Sequence, residues 1–229
     1  MRTTWTFNSA GQLVFGRNAV GKLAEILPRL AAGRIYLITD ATLVKAGLVD
    51  RVREPLEAAG GAVEVFDGGL PEPPIALAER CASEARRCDA QVVVGLGGGS
   101  NMDLAKIVAT LLAHGKSPRD YVGDDRIPGP ILPLICIPTT AGTGSEVSGA
   151  TVLTDTDSKM KVGILSNYLR PHVAIVDPLL TMTCPPKVTA DSGIDALTHA
   201  IEAYTAVDNE EFPLPAGERT IYQGRHPFG

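Results

Sequence analysis

No apolar run in this chain approaches the ~20 residues that cross a bilayer, so nothing in it reads as a membrane span. Neither charge sign dominates. There are 21 Lys+Arg against 26 Asp+Glu, a formal net charge of −5. That mild acidity argues against a nucleic-acid or anionic-membrane binder, which would carry a basic face. Cysteine is scarce, and Cys81, Cys88, Cys136 and Cys184 follow no metal-finger spacing. In 229 residues they read as reduced thiols of a cytoplasmic protein. The opening segment, Met1 to Phe7, has neither a signal-peptide core nor a transit-peptide pattern. Repeats and low-complexity tracts are missing as well. Collagen-like, disordered, disulfide-scaffold and membrane classes are set aside, and a globular chain with a sizeable core remains.

Short apolar runs alternate with helical spacing along most of the chain. Trp5–Phe7 and Gln12–Phe15, separated by Asn8 to Gly11, read as a hairpin. Residues 18–31 and about 44–59 show helical spacing, as do 75–87 and 102–113. Strands are expected at 35–39, 63–66, 91–95, 134–137 and 173–176. That alternation implies βαβ units: a Rossmann-like α/β fold with a parallel sheet and flanking helices. Residues 151–164 read as a β-hairpin. After Pro185-Pro186 the pattern turns helical and no strand follows. The expected division is a dinucleotide-binding α/β domain over 1–184 and the start of an all-helical domain over 185–229.

Two glycine turns stand out. Gly97-Gly98-Gly99-Ser100 joins a buried strand to an amphipathic helix. A helix N-terminus offers unpaired N–H groups and a positive dipole end, and glycines let a pyrophosphate approach them. Ser100 is placed to cap that helix. The spacing matches neither the usual dinucleotide fingerprint nor a Walker A, and a tight turn alone would also account for it. Pro138-Thr-Thr-Ala-Gly-Thr-Gly-Ser-Glu146 follows the next strand, with small and hydroxyl-bearing side chains suited to phosphate, ribose or nicotinamide. Two such loops after neighbouring strands favour a nucleotide cleft over two unrelated turns.

Asp40 ends the first core strand. It either accepts from both ribose hydroxyls, favouring NAD over NADP, or caps the following helix. Asp103 and Lys106 read as a first-turn acid and a helix-surface charge. Asp195 and His199, at i and i+4, share one helix face and could hold one divalent cation, or simply bond to each other.

These motifs, with Asp177-Pro178 and Gly193-Ile-Asp-Ala-Leu-Thr-His-Ala-Ile-Glu202 in the same order, resemble the iron-containing (group III, metal-dependent) alcohol dehydrogenases over residues 5–206. The resemblance implies hydride transfer between a small alcohol or carbonyl substrate and NAD, with a metal, Fe2+ ahead of Zn2+, acting as Lewis acid. It assigns cofactor contacts to Asp40, Gly97, Gly98, Gly99, Ser100, Thr139, Thr140, Gly142, Thr143, Ser145, Val152 and Lys161. Asp195 and His199 match the first two metal ligands. It also makes a homodimer the expected assembly.

The chain departs from the family pattern twice. Pro71-Glu72-Pro73 stands where many members have Pro-Asn-Pro, and the two later metal-binding histidines are not reached before Gly229. His226 reads as a loop residue, not a replacement. The expectation is a truncated chain with an incomplete metal site that catalyses poorly or not at all. Its alternatives are a noncatalytic nucleotide-binding module and, on shared architecture, a dehydroquinate-synthase-like or glycerol-dehydrogenase-like enzyme.

Overall fold

Six short strands rich in Val, Ile and Leu assemble into one parallel sheet. The computed structural model describes residues 3–30, 32–218, 220–222 and 224. The sheet strands are β1 (Gln12–Phe15), β2 (Arg34–Ile38), β3 (Ala62–Phe66), β4 (Val92–Gly97), β6 (Leu134–Pro138) and β9 (Val173–Val176). Their spatial order is β1-β9-β6-β4-β2-β3. Alternate residues of each central strand face opposite sides. Tyr36, Ile38, Val93, Leu134 and Cys136 pack into one core layer with α4 (Ile75–Arg87) and α5 (Gly99–His114). Ile35, Leu37, Val92, Val94, Ile135 and Ile175 pack into the other with α1 (Leu23–Ile26) and α3 (Leu48–Ala58). A sheet covered on both faces needs strands that are apolar throughout, and β4 and β6 are buried at every residue.

The sheet's order creates a crevice. From β2 the chain moves outward to β3, then crosses back to β4 on the other side of β2. The order reverses between β2 and β4, and at such a switch point the loops after the two strands diverge and leave room for a ligand. Asp40 and the Gly97–Ser100 turn both lie there. A smaller sheet beside it contains β5 (Gly123–Asp124), β8 (Met160–Leu165) and β7 (Ala150–Asp155), in that order. β7 and β8 form the expected antiparallel hairpin, with Ala150 opposite Leu165.

Four local expectations change. The opening hairpin does not form: residues 5–7 are in no strand, and β1 pairs in parallel with β9, Gln12 opposite Val173. A distant strand supplies the ladder and lets Val14 join the core, which a local turn would not do. The stretch expected as one helix over 18–31 is α1 flanked by 3-10 turns at Ala19–Lys22 and Leu27–Leu30, interrupted by Gly21 and by Pro28, which lacks an N–H. The helix expected over 44–59 is α2 (Ala41–Lys45) and α3, separated at the left-handed Gly47. Finally, α5 begins at Gly99 rather than Met102, with Gly98 as its N-cap. Ser100 therefore sits inside the first turn, and its Oγ accepts from the Glu72 N–H at 3.2 Å instead of capping the helix.

The last helix, α6 (Pro186–Thr205), is of a different kind, since none of its 20 residues is buried. Ile194, Leu197, Ile201 and Tyr204 are all more than half exposed. No helix among the described residues is long and apolar enough to cross a membrane.

Candidate functional site

The two glycine loops lie against each other at the carboxyl edge of the sheet. The Thr139 N–H donates to Gly97 O at 3.0 Å. Gly97 has φ +143°, which a side chain would strain. Gly98 faces Thr140, and Gly99 faces Thr143 so closely that an added Cβ would stand 2.9 Å from its Cγ2. Gly142 turns the other way, toward α6, where a Cβ would meet Ser192 O at 2.6 Å.

A cavity of about 900 Å³ opens over this surface. It brings Gly99, Ser100, Thr143, Ser145, Val152 and Lys161 together with Asp195 and His199. Asp40, Gly97, Gly98, Thr139, Thr140 and Gly142 do not line it; they lie beside it at the strand ends and in the loops.

Asp40 caps α2 and also holds the side chain of Asn101. Its Oδ1 accepts from the N–H groups of Thr42 (2.8 Å) and Leu43 (3.1 Å), and its Oδ2 from Asn101 Nδ2 (2.8 Å). A carboxylate has about four acceptor positions. Three are occupied, which leaves room for one ribose hydroxyl rather than two.

Asp103 and Lys106 overturn their reading as surface charges. The Lys106 side chain is fully buried and that of Asp103 is 15% exposed. Lys106 Nζ donates to Ser145 Oγ (2.9 Å), Ser148 Oγ (3.0 Å) and Ala150 O (2.7 Å), so its three donors are satisfied. Asp103 accepts from Ser145 Oγ (2.8 Å) and the Val152 N–H (2.9 Å). The two charges themselves stand 3.9 Å apart. Burial pushes the Asp103 carboxyl above its ordinary range, against the pull of Lys106, and pushes the Lys106 ammonium down. This network clamps the second loop and the β7 edge onto α5. It also uses up the one hydroxyl hydrogen of Ser145, which can then meet a ligand only as an acceptor.

No single-position signal marked Lys106 as buried. Asp103 and Lys106, one turn apart, share the side of α5 that faces the second loop. Glu202, one turn beyond His199, also lines the cavity, and no role had been read for it.

Lys161 lies on the hairpin and pairs with Glu72 at 2.7 Å, both side chains well exposed. Glu72 has φ +51°, a left-handed conformation in which asparagine is enriched. The Pro71-Glu72-Pro73 departure thus places a glutamate where the backbone conformation suits an asparagine better.

On α6, Asp195 Oδ1 and His199 Nε2 stand 3.7 Å apart, and His199 Nδ1 stands 3.7 Å from Glu202 Oε2. The carboxylate and imidazole are of the types a divalent transition metal takes. Among the described residues no third donor joins them in one cluster. His226 lies outside the described residues.

The family model for "Iron-containing alcohol dehydrogenase" matches residues 10–178. The chain belongs to the iron-containing alcohol dehydrogenase family. It is 46% identical over 196 residues to long-chain-alcohol dehydrogenase 1 of Geobacillus thermodenitrificans, covering 84% of this chain and 49% of that protein. The crystal structure of 1,3-propanediol oxidoreductase superposes with a TM-score of 0.86 at 36% identity, over 90% of this chain and 54% of that one. Sulfoacetaldehyde reductase from Bifidobacterium kashiwanohense, solved in complex with NAD+, gives 0.81 at 36% identity over the same shares. The chain spans about half the length of the relatives it matches.

Proposed function

We propose that this chain is the cofactor-binding part of an NAD-dependent, metal-dependent alcohol dehydrogenase, transferring hydride between nicotinamide and a small alcohol or carbonyl compound. One observation carries the reading. Two small-residue loops meet at the carboxyl edge of the sheet, the first of them at its switch point, and share a cavity with a carboxylate and an imidazole on the last helix. The NAD+ complex of sulfoacetaldehyde reductase supports the choice of cofactor.

In this reading the free N–H groups at the start of α5 receive the pyrophosphate, with Gly97, Gly98 and Gly99 allowing close approach. Thr139, Thr140, Gly142 and Thr143 form the wall beside it, and Ser145 accepts rather than donates. Val152 and Lys161 close the hairpin side. Asp40 receives one ribose hydroxyl, and its charge disfavours a 2′-phosphate. Asp195 and His199 would hold the metal, with Fe2+ ahead of Zn2+. When bound, the metal polarises the substrate oxygen as a Lewis acid.

Residues 1–184 then form the dinucleotide-binding domain, and 185–229 begin a helical one. Among the described residues these are the two groups placed to hold the metal, and a catalytic site of this type takes three protein ligands. We place the protein in the cytoplasm, consistent with its free cysteines.

Fluorescence titration of the 229-residue chain with NADH and NADPH, with circular dichroism on the same sample, tests the reading. Saturable NADH binding with weaker NADPH binding is expected. A folded chain that binds neither would overturn the nucleotide site. NADH binding by a folded chain whose melting temperature no added divalent metal shifts would favour a noncatalytic nucleotide-binding module.

A further inference from the structure

Asn101 follows the glycine turn in the sequence, yet its side chain reaches across the sheet's switch point. It is 4% exposed. Its Nδ2 donates to Asp40 Oδ2 at 2.8 Å and to Leu96 O at 3.2 Å. Both neighbours are acceptors only, so the amide can point no other way. The surrounding backbone is fitted to it. A Cβ on Gly97 would stand 2.3 Å from Asn101 Nδ2, and one on Gly69 would stand 2.2 Å from its Oδ1. The amide thus fills the gap between the end of β4, the first turn of α5 and the loop after β3.

We propose that Asn101 is a positioning residue for cofactor selection: its amide locks the Asp40 carboxylate so that one oxygen position and the negative charge face the ribose site. The inference rests on Asp40 facing the ribose of a bound dinucleotide. Capping engages Oδ1 alone, so rotation about the Cβ–Cγ bond is opposed at one oxygen only. The bond to Asn101 opposes it at the other and fixes where Oδ2 lies. A fixed carboxylate meets a ribose hydroxyl with no ordering cost and cannot swing away from a 2′-phosphate. The first turn of the phosphate-binding helix and the ribose-selecting carboxylate are therefore coupled through one buried amide.

The test uses the full 229-residue chain and four variants, with NADH and NADPH dissociation constants read by fluorescence and thermal melts by circular dichroism. Asn101→Leu keeps the shape and removes the donors. Asn101→Ser is small enough for the crowded site and falls short of Asp40, so it serves if the leucine variant does not fold. Asp40→Ser removes the charge and keeps a helix cap. The double variant Asp40→Ser/Asn101→Leu closes the cycle.

The preference for NADH over NADPH is expected to fall about tenfold in either Asn101 variant, the scale of one hydrogen bond to a charged group. With Asp40 already replaced, Asn101→Leu should change the preference no further. A preference unchanged in both folded Asn101 variants overturns the proposal. So does an equal loss of affinity for both cofactors, which marks Asn101 as purely structural. Wild-type chain that binds NADH and NADPH equally also refutes it, while wild-type chain that binds neither removes the underlying nucleotide reading first.

Discussion

Two helices of this chain each carry an acid and a base within one turn, at nearly the same separation. On α5, Asp103 and Lys106 stand 3.9 Å apart; on α6, Asp195 and His199 stand 3.7 Å apart. Their surroundings are opposite. Ten residues of α5 are buried and none of α6 is. The first pair is desolvated and joined to four further groups. The second is held in solvent by its own helix. Buried charges are costly to leave unpaired, whereas exposed pairs contribute little, so near-identical spacings have different consequences. The α5 pair belongs to architecture, clamping two loops together. The α6 pair remains free to meet a ligand.

The largest test of that contrast is Lys106→Met. Removing one partner of a buried pair should cost about 3–5 kcal/mol in denaturant unfolding. The pH dependence has a definite sign. Without Lys106, the folded-state pKa of Asp103 rises still further above its unfolded value, about 3.9. Stability from such a group is present below the unfolded value and is lost as pH rises through the folded one. The deficit against wild type should therefore narrow on acidification from pH 8 toward pH 5. A deficit that widens would mean that Asp103 is not left as an uncompensated buried charge.

A leucine on each helix sharpens the comparison. Leu104 is fully buried and Leu197 is 55% exposed. Leu104→Ala should cost about 2–5 kcal/mol, as a core cavity does. Leu197→Ala should stay within about 0.5 kcal/mol in this chain, as surface changes do. A large loss at Leu197 would show that α6 is covered in solution, by a second copy or by another segment.

A smaller effect is expected at Glu72. Glu72→Asn suits the left-handed backbone and should stabilise by up to about 1 kcal/mol, because the exposed bond to Lys161 contributes little. Unchanged or lowered stability would give that ion pair more weight than its exposure suggests. The smallest effect of all on stability is expected at the other pair. His199→Ala should move the unfolding midpoint by less than about 0.5 kcal/mol while abolishing any metal-dependent shift in melting temperature. A metal effect that persists would place the ion elsewhere.

Thiol chemistry gives a check that involves no mutation. Burial pushes the Cys136 thiol up to about 12 and raises Cys81 as well. Cys88 and Cys184 are only partly buried. Two thiols per native chain should react readily with an aromatic disulfide near pH 8, and the other two only after unfolding. Fast reaction of all four would contradict the packed sheet.

Much of this was legible in the amino-acid order. Apolar runs alternating with helical spacing determined a parallel α/β sheet, because only a sheet covered on both faces tolerates strands such as Val92–Gly97. Glycine turns after two of those strands determined where backbone could come close to a ligand. The i and i+4 spacing put Asp195 and His199 on one helix face. The rest depended on contacts distant in the chain. Which strand β1 joins was decided by β9, some 160 residues away, and not by the nearer turn. That Asp40 caps a helix was decided by Thr42 and Leu43, and that its other oxygen is engaged was decided by Asn101. Lys106 reads as a surface charge until Ser145, Ser148 and Ala150 close over it. Burial is a property of what packs against a residue, and a single chain position carries no record of that.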